Sequence, residues 1–340
     1  MASVSVSILG ASGYSGAELL RILLRHPHVK IDKLFANSLV GEKVASVYPQ
    51  FRGRPAETFA LYSQDAVAKS DLVFLALPSG EAMKIVPELL ASGKKVIDLS
   101  GDYRLSDQAD FEKYYGKKHA SPELVEQATY GLPEWNREQI LNSRFISNPG
   151  CYATSAILAL APLVKEGLIE SSGIAINSLS GVSGAGRKAS VDLSFSEVNE
   201  NVTAYRVGDH QHTPEIKMAL EQVAGAEVSI CFVPHLIPIT RGIYTTITAS
   251  LATGVDQAAV DGAYTKWYSE KPFVRYEASH VPEIKHVAHS NYIDIGSQVV
   301  ESTGQVVIMS VIDNLVKGAA GQAVQNMNLM CGFSECEGLL

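Results

Sequence analysis

Residues 4–23 read VSVSILGASGYSGAELLRIL, an apolar strand that runs through a glycine-rich turn into an apolar helix. Glycines at 10, 13 and 16 permit a tight turn, a close approach of the backbone to a pyrophosphate, and close packing of the helix. The spacing is GxxGxxG rather than GxGxxG, and a βα turn that binds no ligand can carry the same pattern. Because the motif joins the first strand to the first helix, we interpret it as a dinucleotide-binding loop. The expected cofactor contacts are Gly10, Ser12, Gly13, Tyr14, Ser15 and Gly16.

Strand and helix signals alternate through the first 150 residues. Further strands are predicted at 29–37, 71–77, 94–100 and 144–147, and helices at 17–27 and 81–93. This alternation, with nearly continuous apolar strands, is typical of a parallel sheet covered on both faces. The fold class is therefore α/β, with a Rossmann-like dinucleotide-binding domain at the N-terminal end.

The pattern of predicted elements changes after the helix that is expected to follow Cys151. Longer β-rich runs lie at 175–184, 228–240 and 242–251, with helices only at 214–224 and 256–270. That composition predicts a separate α+β domain with a mostly antiparallel sheet. The segment 306–330 then reads as a strand followed by a long helix.

Composition excludes several classes of protein. A chain of 340 residues is too long for one ordinary core, so two domains are expected. The net charge of −8 argues against a nucleic acid or an anionic membrane surface as the main partner. The apolar runs are shorter than a membrane span, and the first residues do not resemble a signal peptide. The cysteines, at 151, 231, 331 and 336, form neither a CxxC pair nor a metal-finger spacing, which favours a reducing, cytoplasmic compartment.

The end of the second predicted strand, FANS, carries no Asp or Glu to bind a free ribose 2′-hydroxyl. Asn37, Ser38 and the nearby Lys43 are instead compatible with a 2′-phosphate. We therefore expect NADP rather than NAD as the cofactor, with Ser38 among its contacts.

Residues 147–160 read SNPGCYATSAILAL, which places Cys151 between a Pro-Gly turn and an apolar, helix-forming run. A thiol in the first helical turn lies among backbone N–H groups without intrahelical partners, at the positive end of the helix dipole. Both features favour the thiolate. A free cysteine also packs as a small buried hydrophobe, so the position by itself leaves both interpretations open.

A candidate base lies in GDHQHTPEIKMAL, residues 208–220. Thr213-Pro214 is typical of the N-cap and first position of a helix, which would place His212 just outside the helix start. Glu215 is near enough in sequence to orient the imidazole of His212. We therefore predict that Cys151, His212 and Glu215 form the catalytic set.

His210 is the alternative base, because two residues in an extended approach to a helix face the same side when they are two positions apart. We choose His212 because it adjoins the helix start, which fixes its backbone. The HxH pair lacks a third ligand nearby in sequence, so no metal site is predicted. A solvated, histidine-rich loop is the non-functional alternative.

Two stretches could bind an anion. SGVSGAGRK, residues 180–188, is a glycine-rich loop followed by Arg187 and Lys188, which could clamp a phosphate or carboxylate. GDYRL, residues 101–105, places Arg104 just after a predicted parallel strand, where such sheets bind ligands. A plain surface turn and a structural ion pair are the respective alternatives.

Several motifs together resemble the N-acetyl-γ-glutamyl-phosphate reductases, a family of arginine biosynthesis. In chain order these are GASGYSGAELLRIL, SNPGCYATS, SGVSGAGRK, HQHTPEI, PHLIPITRGIYTT and DNLVKGAAGQAVQNMN, which extend over nearly the whole chain. Aspartate-semialdehyde and glyceraldehyde-phosphate dehydrogenases share the architecture and the thiol chemistry, but their cysteine motifs differ. The chain departs from the family at Ser38-Leu39, where the family often has a Ser-Arg pair.

The resemblance implies a reaction. The Cys151 thiolate would attack an acyl phosphate and expel phosphate, and NADPH would reduce the thioester to a semialdehyde. His212 would act as base and then as acid, oriented by Glu215. Arg104, Arg187 and Lys188 would bind the substrate's carboxylate and phosphate.

The resemblance also implies an architecture of the semialdehyde dehydrogenase type. The NADP-binding domain would comprise 1–149 and 315–340, and a catalytic and dimerisation domain 150–314. Asn314 and Gly318 would lie near the nicotinamide, and the homo-oligomer would be a dimer or tetramer. Further expected cofactor contacts are Ser183 and Gly184.

Three other functions use parts of the same pattern. A reductase of the aspartate-semialdehyde dehydrogenase type would act on another acyl phosphate. A cysteine hydrolase would need the Cys–His pair without a dinucleotide. A non-catalytic NADP-binding sensor would need the glycine loop without a reactive thiol.

Overall fold

The computed structural model describes residues 3–53 and 58–340. The chain divides into two compact units, which we call the first unit (Met1–Pro149 with Ala319–Leu340) and the second unit (Gly150–Gly318). The chain thus enters the second unit at 149/150 and leaves it at 318/319.

The first unit contains a parallel sheet. Its strands are β1 (Val4–Leu9), β2 (Val29–Phe35), β3 (Leu72–Leu75), β4 (Lys95–Asp98), β5 (Thr129–Tyr130) and β6 (Phe145–Ser147). They form one six-stranded sheet in the order β2-β1-β3-β4-β6-β5, and each neighbouring pair is parallel. All four residues of β3 are buried, as expected of a strand covered on both faces. The predicted α/β class is confirmed.

Helices follow most of these strands. They are α1 (Tyr14–Leu23), α2 (Val44–Val47), α3 (Ala82–Ala91), α4 (Gln108–Tyr115) and α5 (Pro133–Leu141). The sequence predicted α1 and α3 but neither α4 nor α5. The helix α1 begins at Tyr14 rather than at 17, so Tyr14, Ser15 and Gly16 form its first turn.

The glycine turn between β1 and α1 depends on close backbone contacts. Gly10 has φ of +79°, and a Cβ there would stand 2.1 Å from the Ala76 carbonyl oxygen. Gly16 lies in the helix, where a Cβ would stand 2.4 Å from the Gly10 carbonyl oxygen. The Gly13 N–H donates to that same oxygen at 3.0 Å and closes the turn. Only glycine satisfies both close approaches.

The second unit contains a mixed sheet. Its strands are β7 (Ile174–Gly181), β8 (Thr203–Ala204), β9 (Ile230–Ile237), β10 (Ile243–Ser250), β11 (Val274–Ala278), β12 (Ile293–Val300) and β13 (Gln305–Ile312). The order is β11-β12-β13-β10-β7-β9-β8. The pairs β11–β12 and β7–β9 are parallel and the others antiparallel, so the mostly antiparallel sheet is confirmed.

The longer helices of the second unit are α6 (Cys151–Lys165), α8 (His212–Ala224) and α9 (Gln257–Tyr268), and α7 (Phe195–Val198) is a single turn. The helix α6 is buried from Tyr152 to Val164 and packs against α8, α9, β10 and β13. Buried hydroxyl groups join it to the sheet, where Ser155 Oγ lies 3.0 Å from Thr245 Oγ1 and 2.8 Å from Ser310 Oγ. These bonds satisfy groups that would otherwise be costly to bury.

The chain returns to the first unit through a π-helical turn at Val316–Ala320 and the helix α10 (Gly321–Met330). Every residue of α10 is buried, and the helix packs against α1, α5 and β4. Among the described residues, none of the helices has the length and apolarity that crossing a membrane requires.

We expect Gly16→Ala to destabilise the first unit by about 3 kcal/mol, because the new Cβ would overlap backbone atoms that cannot rotate away. Gly13→Ala is the matched control, since its Cβ would stand 3.4 Å from the Gly10 carbonyl oxygen, an ordinary contact. The control, at an N-cap position, should cost about 1 kcal/mol or less. Urea denaturation of both variants measures the difference, and equal losses would contradict the packing argument.

Candidate active site

The candidate nucleophile lies at a helix N-terminus. The helix α6 begins at Cys151, and its N-cap is Gly150, which has extended backbone angles. This confirms that the Pro-Gly turn ends where the helix begins. Cys151 is partly exposed, whereas the residues from Tyr152 to Val164 are buried. Cys151 therefore combines access to solvent with the N–H groups of a first helical turn, which stabilise a thiolate.

A second helix is tied to this N-terminus. Glu215 lies in the first turn of α8 and is fully buried, and its Oε1 accepts a hydrogen bond of 2.8 Å from the Gly150 N–H. The carboxylate thus holds the peptide N–H that directly precedes Cys151. The sequence predicts that Glu215 orients His212, and it gives no indication of the hydrogen bond from Gly150 to Glu215.

The helix α8 starts earlier than predicted. His212 is its first residue and Gln211 its N-cap, so the expected N-cap role of Thr213 is wrong. The physical reason is a local acceptor: the His212 N–H donates to His210 Nδ1 at 3.1 Å, and the Thr213 N–H donates to the His210 carbonyl oxygen at 2.9 Å. Pro214 then falls in the first turn, where no N–H is required.

His210 is a neutral imidazole. Burial lowers its pKa to about 2, and the positive charges of His212 and Arg206 add to this effect. Because Nδ1 accepts the His212 N–H, the ring proton must be on Nε2. A histidine with this pKa does not titrate near neutrality, which favours His212 over His210 as the base.

Cys151, His210 and His212 line one cavity of about 710 Å³ within the second unit. Tyr152 and Tyr205 also line it, with their hydroxyl oxygens 2.9 Å apart. Burial raises the pKa of Tyr205 to about 12 and that of Tyr152 further, so both hydroxyls stay protonated near neutrality. They can donate hydrogen bonds to a bound molecule but cannot serve as bases.

The predicted anion-binding residues are divided between the units. Arg187 and Lys188 are exposed in the second unit, and neither is among the described residues that line the cavity. The described lining of the cavity includes Arg206 instead, whose guanidinium donates a hydrogen bond to the Asp209 carbonyl oxygen at 3.0 Å. Arg104 lies in the first unit, 8% exposed, and donates to the carbonyl oxygens of Asn148 (2.8 Å) and Leu99 (3.0 Å). These bonds are structural, and substrate binding by Arg104 remains a prediction.

The residues expected near the nicotinamide have clear structural contacts. The Asn314 amide accepts the Gly242 N–H at 2.8 Å and donates to Ser183 Oγ at 3.0 Å. It therefore fixes the loop that carries Gly184, which lines the cavity. Gly318 lies directly against Cys151.

The glycine loop of the first unit fits a pyrophosphate. Ser12, Gly13 and Ser15 are partly exposed and Tyr14 is 37% exposed, so the start of α1 lies at the surface, where a helix N-terminus can bind an anion. Ser38 lies in an exposed turn after β2. No group of three His, Cys, Asp or Glu side chains within the described residues is arranged to hold a metal ion.

Comparison with known proteins agrees with this architecture. Residues 5–143 match the family described as "Semialdehyde dehydrogenase, NAD binding domain", and residues 151–314 match "Semialdehyde dehydrogenase, dimerisation domain". The N-acetyl-gamma-glutamyl-phosphate reductase of Pelotomaculum thermopropionicum is 49% identical over 339 residues, which are 99% of this chain and 98% of that protein. The chain belongs to the N-acetyl-γ-glutamyl-phosphate reductase family. The resemblance seen in the sequence is thereby confirmed.

Solved structures show the same fold at low identity. Aspartate semialdehyde dehydrogenase II of Vibrio cholerae, complexed with ASA, has a TM-score of 0.75 and 16% identity and covers 98% of this chain and 99% of its own. Aspartate semialdehyde dehydrogenase with NADP from Candida albicans has a TM-score of 0.74 and 16% identity, covering 96% and 98%. Members of the reductase family bind a nicotinamide dinucleotide, and membership favours neither a cysteine hydrolase nor a non-catalytic sensor.

Sequence reasoning missed Tyr152, Tyr205 and Arg206 as residues of the cavity. Tyr152 directly follows the candidate nucleophile, a signal that could have found it. Tyr205 and Arg206 lie in an irregular stretch without periodicity, so no sequence signal pointed to them.

We expect His212→Asn to reduce the rate about a hundredfold, the usual scale of general acid–base help. His210→Asn should cost much less, because an imidazole with a pKa of about 2, whose Nδ1 already accepts the His212 N–H, is too weak a base to take the thiol proton near neutrality. The pH profile of kcat/KM distinguishes them: the limb near neutrality should persist in His210→Asn and vanish in His212→Asn. The reverse pattern would assign the base to His210.

Proposed function

We propose that this chain reduces N-acetyl-γ-glutamyl phosphate to N-acetylglutamate γ-semialdehyde, with release of phosphate, through a thioester on Cys151. The observation that carries the mechanism is the meeting of two helix N-termini, α6 with Cys151 and α8 with His212, at one cavity. The family assignment supports the substrate and the place in arginine biosynthesis.

In this mechanism His212 takes the thiol proton of Cys151. The thiolate then attacks the γ-carbonyl carbon, the carbon–oxygen bond to phosphate breaks, and a thioester remains. After reduction, the former carbonyl oxygen is an oxyanion; its electron pair re-forms the C=O bond of the aldehyde, the carbon–sulfur bond breaks, and protonated His212 returns its proton to the sulfur. Glu215 supports both residues, since it belongs to the helix of His212 and holds the Gly150 N–H.

Among the described residues, the cavity supplies neutral donors and the Arg206 cation for the substrate. Nε2 of His210 carries its proton at all working pH values, and Tyr205 retains its hydroxyl proton. Arg206 provides a positive charge in a chain of net charge −8. We add these three residues to Arg104, Arg187 and Lys188 as candidates for the carboxylate, amide and phosphate of the substrate.

The dinucleotide, when bound, supplies the hydride that reduces the thioester carbonyl. The chain would hold its pyrophosphate with the loop Gly10, Ser12, Gly13, Tyr14, Ser15 and Gly16, which leads into the N-terminus of α1, a position that suits an anion. We also retain Ser38, Ser183, Gly184, Asn314 and Gly318 as proposed contacts. The preference for NADP is supported by the exposed Asn37, Ser38 and Lys43, which bring no carboxylate to the end of β2.

We further propose a homodimer or homotetramer in the cytoplasm. The match of 151–314 to a dimerisation domain supports self-association. Tyr244, Val307 and Met309 are half-buried on the face of the sheet opposite α6, and a second copy would cover them. The four free cysteines support a reducing compartment.

The reverse reaction tests the substrate assignment. N-acetylglutamate γ-semialdehyde, phosphate and NADP should give reduced cofactor, and aspartate semialdehyde should give much less, as followed by absorbance. Cys151→Ser is the control and should lose several orders of magnitude in rate while it still binds NADPH. A preference for aspartate semialdehyde, or a Ser variant with more than about a tenth of the activity, would contradict the proposal.

We expect NADPH to be preferred over NADH in kcat/KM. Lys43→Glu should reduce this preference, because the new carboxylate would repel a 2′-phosphate and could bind a free 2′-hydroxyl. Steady-state kinetics of both proteins with both cofactors measures this. Comparable values for the two cofactors in the unmodified protein would exclude the assignment.

A further inference from the structure

The π-helical turn at Val316–Ala320 brings Gly318 against the candidate nucleophile. A Cβ at Gly318 would stand 2.8 Å from Cys151 Cβ and 3.2 Å from Cys151 Cα. Real Cβ atoms essentially never come within 3.0 Å of another such atom, and neither partner atom is the free end of a flexible side chain. The missing side chain of Gly318 therefore defines the space in which Cys151 lies. Single π-helical turns are frequent at functional sites.

Asp313 fixes the π-helical turn through hydrogen bonds. The Gly318 N–H donates to the Asp313 carbonyl oxygen at 3.0 Å. The Asp313 side chain is fully buried, and its carboxylate accepts hydrogen bonds from the N–H groups of Leu315 (2.8 Å), Val316 (3.2 Å) and His289 (2.8 Å) and from Arg241 Nη1 (3.4 Å). Charge-assisted bonds of this kind are about twice as strong as neutral ones. The position of Gly318 is consequently well determined.

The other side of Cys151 is fixed independently. The preceding Gly150 donates its N–H to Glu215, and its carbonyl oxygen accepts the Thr154 N–H at 2.8 Å, which starts the helix. The backbone of Cys151 is thus held between a turn fixed by Glu215 and a turn fixed by Asp313.

We propose that Gly318 and Asp313 are positioning residues for the Cys151 thiol, and that the absence of a side chain at 318 sets where the sulfur lies. This inference rests on the proposed function of Cys151 as nucleophile. It differs from the cofactor role assigned to Gly318 above, because it predicts an effect when no dinucleotide is bound.

Gly318→Ala should move Cys151 away from its place at the helix N-terminus. A displacement of about 1 Å costs on the order of a hundredfold in turnover. We expect kcat to fall on that scale with little change in KM for the substrate. We also expect slower alkylation of Cys151 by iodoacetamide, with its pH midpoint shifted upward, because the thiolate loses part of its stabilisation by the N–H groups.

The experiment measures alkylation of the full chain without dinucleotide across a range of pH, and peptide mass spectrometry assigns the label to Cys151 rather than to the exposed Cys231. Gly262→Ala is the matched control, because Gly262 lies in α9 and has no atom within 4 Å of the Cβ position. It should leave alkylation and turnover unchanged. Circular dichroism and thermal melting establish that both variants fold.

Each outcome has a defined meaning. If Cys151 of the unmodified protein reacts no faster than Cys231, the proposed nucleophile is wrong. If it reacts fast and Gly318→Ala matches Gly262→Ala, the positioning role is wrong, and a loss of turnover alone would assign Gly318 to the cofactor.

Asp313→Asn is the second variant, and it decides the question if Gly318→Ala does not fold. It preserves the size of the side chain, and an NH2 group in place of Oδ2 removes the acceptor of both the Arg241 and the His289 donors. We expect a smaller shift of the alkylation midpoint in the same direction, and an unchanged midpoint would overturn the proposal.

Discussion

One buried hydrogen bond, from the Gly150 N–H to Glu215 Oε1, joins the N-termini of the two helices that carry the chemistry. A fully buried carboxylate is costly unless donors satisfy it, and the peptide N–H before a helix likewise needs an acceptor. Each group therefore satisfies the other. Cys151 directly follows Gly150, and His212 lies one helical turn before Glu215, so the placement of both depends on this bond.

The features predicted correctly from the sequence are those that neighbouring residues along the chain determine. The parallel sheet followed from apolar strands that alternate with helices, and the start of α6 at Cys151 followed from a Pro-Gly turn before an apolar run. The start of α8 was misplaced because its acceptor is the imidazole of His210, which is not a usual N-cap group. The imidazole of His210, which precedes the helix, accepts the backbone N–H at the helix start, the role that was expected of the Thr213 side chain.

The residues of the site that the sequence did not predict are placed by contacts between distant parts of the chain. Tyr205 and Arg206 follow β8, a strand of two residues that exists only because it pairs with Leu236 and His235 of β9. Two residues are too few to show the period-2 alternation of a strand, so the sequence does not predict β8. Earlier in the same stretch, Phe195 is 79% exposed, so an apolar residue there does not mark a buried position. The cation of the cavity thus comes from the part of the chain with the weakest sequence signal.

Glycine serves two different purposes in this chain, a turn at Gly10 and close packing at Gly16 and Gly318, and of the two packing glycines only Gly16 lies in the GxxGxxG motif. Gly10 has a positive φ in a turn, and the turn itself is written in the GxxGxxG spacing. Gly16 and Gly318 have no such requirement; each is glycine because another part of the backbone comes within van der Waals distance, at Gly10 and Cys151 respectively. A sequence motif indicates that a glycine belongs to a loop. It does not indicate which distant part of the chain packs against that glycine. The neighbour of Gly318 is the candidate nucleophile, so packing at this position affects the proposed chemistry directly. A single methyl group at residue 318 would displace the Cys151 sulfur.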